Sequence, residues 1–174
     1  MRRATIAAVA LAWSAALGAA PLTITKTSTV VLDGVSALNP KALPGALVDY
    51  QLLVANPLGN ALSTVGEVTV VDVLPTTVKL RVADLVTGGG PIEFVDGNLL
   101  GLGLLGSGLS YSYVSLGSGA DRVDFSDDGG VSWTYVPVPD SGGFDPRVRA
   151  IRVRLTGSQV AGSGFRLRFR VAIR

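Results

Sequence analysis

The chain has 174 residues, 48% apolar and 16% charged, with 22 Gly, 9 Pro, a formal charge of +2 and neither Cys nor His. That length suits one domain, and the apolar fraction excludes a disordered chain. Without Cys or His there is no Ser-His-Asp or Cys-His nucleophile, no zinc held by His or Cys, no disulfide and no lipid-bearing N-terminal cysteine.

Arg2 and Arg3 precede an apolar run, ATIAAVALAWSAALGAA, over residues 4–20. A basic start, a short apolar core and small residues at the end describe a secretory signal peptide over residues 1–20. Gly18, Ala19 and Ala20 all suit the cut, and Pro21 disfavours one directly before it. The run is short and rich in Ala for a bilayer span of roughly 20 residues. The mature chain, residues 21–174, is therefore expected to be one exported domain with no membrane span. Once Arg2 and Arg3 are removed, 13 cations face 13 acids, so the mature chain is formally neutral. That takes away the main electrostatic support for nucleic-acid binding.

Strand signals then follow one another, with no helix-period stretch. Residues 22–32 are rich in Thr and Val and end at the turn pair Asp33-Gly34. Pro44-Gly45 launches residues 46–56, where Val48, Tyr50, Leu52 and Val54 alternate with Asp49, Gln51 and Leu53. Residues 65–74 put Val68 and Val70 on one face, and Pro75 stops them. Shorter strands are expected over residues 78–85 and 91–95, and a Gly/Leu loop over 99–109. Residues 109–116, 120–126 and 131–136 read as a three-stranded meander. In residues 165–174, Phe165, Leu167, Phe169, Val171 and Ile173 share one face, and Arg166, Arg168, Arg170 and Arg174 the other. Residues 147–155 are the expected hairpin partner, with a phase slip between Ala150 and Ile151 that suggests a β-bulge. Residues 156–164 read as the polar loop between them. Many short strands with frequent turns indicate an all-β sandwich or barrel.

Three stretches carry a family resemblance: KTSTVVLDG, NPKALPGALVDYQLLVANPLGNAL and VTVVDVLP. Together they resemble the bacterial "conserved repeat" surface domain, domain of unknown function eleven, over about residues 26–75. The resemblance implies an immunoglobulin-like antiparallel β-sandwich in an exported or cell-surface protein. This chain has one copy rather than an array, and its later part carries an additional hairpin.

That hairpin is SDDGGVSW, which reads Ser-x-Asp-x-Gly-x-x-Trp through Ser126, Asp128, Gly130 and Trp133. It resembles the Asp-box of sialidases, where the box is structural and lies away from the catalytic centre. Asp128 is placed to accept backbone N–H groups of its own loop, and Gly129 and Gly130 permit positive φ. Every residue of the motif is then used by the turn itself. Asp124, Ser126 and Asp128 also open like a calcium loop, but the twelfth position holds Tyr135 instead of Glu. Gly101, Gly103 and Gly106 match G-x-G-x-x-G, but a strand pattern follows where a phosphate-binding helix should start. Asp121, Asp124, Asp127, Asp128, Asp140 and Asp145 mostly sit beside Gly, Ser or Pro, and nothing selects a catalytic pair. Lys26 with Asn56 or Asn60, near Asp72, has the composition of a Lys–Asn crosslink.

The charge asymmetry is stronger. Residues 26–145 hold five cations and all 13 acids, whereas residues 147–174 hold eight Arg and no acid. In a hairpin, Arg147, Arg149, Arg152, Arg154, Arg166, Arg168 and Arg170 would form a basic face suited to an anionic cell-surface polymer or an acidic protein. The expectation is an exported, non-catalytic structural or adhesive protein, periplasmic, extracellular or on the cell surface, with no cofactor. It would act through that face or through edge strands, self-association included. The alternative is a carbohydrate- or calcium-binding extracellular module, the sugar lying on Tyr111, Tyr113, Trp133 and Tyr135.

Overall fold

The structure is a computed structural model that describes residues 19–36, 38–63 and 65–174. The expected leader therefore lies outside the described residues, apart from Ala19 and Ala20.

Twelve strands follow in chain order: β1 (Thr23–Leu32), β2 (Leu47–Ala55), β3 (Val65–Gly66), β4 (Thr69–Val73), β5 (Val78–Arg81), β6 (Ile92–Asp96), β7 (Leu109–Ser110), β8 (Val123–Ser126), β9 (Phe144–Asp145), β10 (Ala150–Arg154), β11 (Thr156–Gln159) and β12 (Gly164–Ile173). Among the described residues the only helical pieces are two 3-10 turns, Leu58–Asn60 and Gly97–Leu99. The chain is all-β, with antiparallel sheets none of which closes on itself.

The largest sheet runs β1-β2-β12-β5-β9. β12 organises it. One edge of β12 pairs with β2, from Gly164↔Ala55 to Ala172↔Leu47. The other edge is shared in succession by β6, over Phe165–Phe169, and β5, over Val171–Ile173. A second sheet runs β4-β10-β8 and a third β3-β11-β7. Only Leu155 separates β10 from β11, so the two small sheets share one bent central strand. Its neighbour breaks at the same level, where Glu67 takes a φ of 50° between β3 and β4. Few non-Gly residues adopt that conformation.

The alternation read from the sequence decides which faces meet. Leu52, Ile92, Leu167 and Phe169 of the large sheet approach Val70, Ile151 and Val153 of the second across a common interior. Phe165, Phe169 and Val54 are fully excluded from solvent. Burying each such side chain contributes about 1.5–3 kcal/mol, which makes this contact the main source of stability.

Four expectations are corrected. First, residues 147–155 and 165–174 do not form a hairpin. β10 pairs with β4 and β8, β12 pairs with β2, β5 and β6, and the two face each other across the core. An apolar alternation is the same for strands side by side and strands face to face. Second, the segment between them is not only loop, because Thr156–Gln159 forms β11. Third, there is no bulge at Ala150/Ile151, since the register with both neighbours is continuous there. Both residues are buried because Ile151 faces the core while Ala150, on the other face, lies under Gly130 of the Asp-box loop. The register shift falls instead in β1, between Val30 and Leu32. Fourth, the three-stranded meander is absent. β7 pairs with β11 and β8 with β10, and residues 131–136 contribute one bridge, Tyr135 to Phe125.

Candidate functional site

The arginines lie on two different sheets, and most of their charge is taken up internally. On β12, Arg166, Arg168 and Arg170 point away from the core, between Asp49 of β2 and Glu93 of β6. Arg168 donates to Glu93 at 2.7 and 3.0 Å and to Asp49 at 2.7 Å. Arg170 donates to Asp49 at 2.5 and 2.9 Å. The hydrogen bond from Arg168 holds the Glu93 carboxyl below its usual range. For Asp49, burial works upward, but Arg170 and Arg168 outweigh it and the net shift is downward. On β10, Arg152 and Arg154 both donate to Asp124 of β8 at 2.8 Å. Arg147 donates to Asp127 at 2.9 Å and keeps the most exposed head of the series. One Arg149 nitrogen is buried without a partner, and Arg174 donates to the carbonyls of Val78 and Pro146. The seven arginines expected to make one basic face are thus parted between β12, β10 and the segment that leads into β10, and acids distant in sequence sit among them. Asp49 lies 119 residues from Arg168.

The Asp-box residues do come together. Ser126 Oγ donates to Asp128 Oδ1 at 2.5 Å and accepts the Gly130 N–H at 2.8 Å. The N–H groups of Val131 and Ser132 donate to Asp128 at 3.0 Å, and Ser132 Oγ donates at 2.7 Å. Ser126 first, then Ser132, hold the Asp128 carboxyl far below the usual range. Gly130 has φ 96°, and a Cβ there would lie 3.2 Å from the Trp133 ring. The Arg152 guanidinium also lies over that ring, at 4.7 Å. The motif folds its own loop and caps β10. Ser132 is the member missed from sequence, although a hydroxyl four residues after the Asp was a readable signal. The three calcium candidates have separate partners: Asp124 serves Arg152 and Arg154, whereas Ser126 and Asp128 bond to each other.

The four aromatics expected as a sugar platform are divided. Tyr111 stacks on Phe94 and donates to the Gly89 carbonyl at 3.2 Å, and Tyr113 lies against Gly90. Trp133 and Tyr135 line a shallow pocket of about 180 Å³ with Leu116, Ser118 and Thr134. Tyr135 donates to Asp145 at 2.7 Å, and burial followed by that carboxylate pushes its hydroxyl up to about 12. The G-x-G-x-x-G stretch is a loop. Gly101 and Gly103 have φ of 66° and 72°, and Leu99, Leu102 and Leu105 are exposed.

The least satisfied part of the fold is β1. Its ten residues pair with β2 only, and among the described residues no strand lies along its other edge. Every residue but Val30 is exposed, Ile24 at 57% and Leu32 at 52%. β1 contains no Pro and a single charge, Lys26. That charge is engaged: Lys26 Nζ reaches Asp72 of β4 at 2.7 Å and lies over the Tyr50 ring at 4.6 Å. Asp72 is nearly buried, and among the described residues its second oxygen has no partner. Asn56 and Asn60, considered with Lys26 for a crosslink, instead bond to each other, Asn56 also to the Gln159 carbonyl and Asn60 to Ala20. On the outer face, Thr25 and Thr27 help line a groove of about 250 Å³ with Gln51, Leu53, Leu102 and Arg166. Sequence reasoning found this strand but had no signal for its position at the edge.

Comparisons with protein-family models, curated protein sequences and solved structures return no match.

Proposed function

We propose that the chain is an exported, non-catalytic structural or adhesive protein of the cell surface or extracellular space. In this reading it is an immunoglobulin-like sandwich of the conserved-repeat kind that binds by strand addition at β1. The observation that carries the reading is the edge of β1, ten residues long and exposed, with its one charge already paired and no strand on its other side among the described residues. Soluble proteins usually protect such an edge with Pro, charges or a covering loop, and an unprotected one accepts a further strand. Export rests on the residue 1–20 leader pattern. Internal pairing of the arginines moves the weight from electrostatic docking to the edge.

Fractionation of the native host tests both parts. The mature protein is expected in the envelope or medium. Its envelope-bound share should withstand a high-salt wash, and Thr27→Lys, which charges the middle of the edge, should release it. A freely soluble wild-type protein that behaves identically to Thr27→Lys would overturn the reading. A second reading, sugar binding, is favoured only by the pocket beside Trp133 and Tyr135. Saturable binding to a glycan array, lost in Thr134→Arg, would select it.

A further inference from the structure

We infer that the strand received by β1 is β1 of a second copy of this chain, antiparallel and centred on Thr27. The inference rests on the strand-addition reading and names its partner.

Symmetry restricts the register. A twofold axis that joins two antiparallel edge strands stands normal to the sheet, so the inner face of one copy meets the inner face of the other. Opposed side chains in an antiparallel pair lie on the same face. Some residue must therefore face its own copy, and the candidates are few. Centring on Lys26 would place two ammonium groups opposite each other. Centring on Ser28 would pair Lys26 with Val30 and carry Ile24 to Leu32, beyond the register shift that follows Val30. Centring on Thr27 stays within the regular part of β1. It pairs Thr27 with Thr27, Thr25 with Thr29, Lys26 with Ser28 and Ile24 with Val30. This places the exposed Ile24 against an apolar partner and matches Thr with Thr on the outer face.

Two further observations are compatible with a second copy, which the register itself selects. The mature chain is formally neutral, so two copies approach without net repulsion. The groove lined by Thr25, Thr27, Gln51, Leu53 and Leu102 has β1 as its outer floor, and a strand added there extends that floor. The contact is one strand wide, at the small end of specific interfaces, so association should be concentration-dependent.

Sedimentation equilibrium of the secreted protein, from micromolar to millimolar, is the test. The wild-type mass should rise from one chain towards two. Thr27→Lys and Thr27→Glu, which place like charges on the axis, should each remain single chains with unchanged circular dichroism. An equimolar mixture of the two should restore the pair, because the opposed residues then attract. That rescue cannot come from a variant that merely unfolds. A wild-type protein that stays a single chain at millimolar concentration overturns the inference, and so does association that neither variant affects. If the wild type is single but Thr27→Lys still leaves the envelope, the edge serves a different partner and only the second-copy assignment falls. If the wild type is single and Thr27→Lys changes nothing in cells, strand addition falls with it.

Discussion

Lys26 and Asp72 show why a residue's setting matters more than its type. Asp72 projects from the second sheet into apolar surroundings, and among the described residues Lys26 is its only side-chain partner. Breaking a buried pair by removing one member costs more than replacing both with apolar groups. Because Lys26 itself is 36% exposed, Lys26→Met should destabilise by roughly 1–2 kcal/mol, and adding Asp72→Leu should recover most of that loss. Urea titration of the two single variants and the double variant measures the coupling directly. Gly130 is a second residue with no freedom, since its φ of 96° and the nearby Trp133 ring both oppose a side chain. Gly130→Ala should cost about 1–2 kcal/mol, read as a lower urea midpoint. The Lys26 effect depends on a neighbour 46 residues away, Asp72, whereas the Gly130 effect depends on its own φ and on the nearby Trp133. The Asp-box spacing was legible because it is local, whereas the Lys26 partner was not.

At the scale of elements, β12 is the best case for reading a strand from its pattern. Its apolar residues alternate with Arg, and every one from Phe165 to Val171 is buried as the alternation requires. The pattern did not reveal the partner. β10 carries the same kind of alternation and pointed to a hairpin, but the two strands supply opposite walls of one core. A hairpin would gather cations that the sheets separate and pair with Asp49, Glu93 and Asp124. Arg168 joins β12 to two of its three neighbours, through Glu93 on β6 and Asp49 on β2. Arg168→Ala should cost about 2 kcal/mol, and Arg168→Lys should recover little, because a single ammonium cannot reproduce the fork that holds both carboxylates. Thermal unfolding of the two variants beside wild type decides this.

The whole molecule should show a broad pH plateau with steep ends. Asp49, Glu93, Asp128, Asp140 and Asp33 all have carboxyls held below their ordinary range by hydrogen bonds or Arg and Lys partners. A lowered carboxylate pKa contributes stability above the unfolded value, near pH 4, and loses it as the pH falls through the folded value. Tyr111 and Tyr135 are raised, chiefly by burial, so their contribution is complete below about pH 10 and is lost as the pH climbs towards 12. With no His in the chain, no side chain of ordinary pKa titrates in between. Denaturant midpoints should be nearly constant from about pH 5 to 9 and fall at both ends. A marked inflection near pH 6–7 would contradict this account.

The sequence by itself determined the all-β class, the approximate positions of β1, β2, β4 and β12, the inward faces of β2, β4 and β12, and four of the residues that hold the Asp-box loop. These follow from periodicity and short-range turn chemistry, which act over a few residues. Only the tertiary structure decided which strands are neighbours, which acids neutralise the arginines, and that β1 ends the large sheet with no strand on its other side among the described residues. Those outcomes depend on contacts between residues tens to more than a hundred positions apart, such as Asp49 with Arg170, 121 residues away. Pairing partners are chosen by how two layers close over one core, and an alternation of apolar and polar residues is the same whether its strand lies in the middle of a sheet or at its edge.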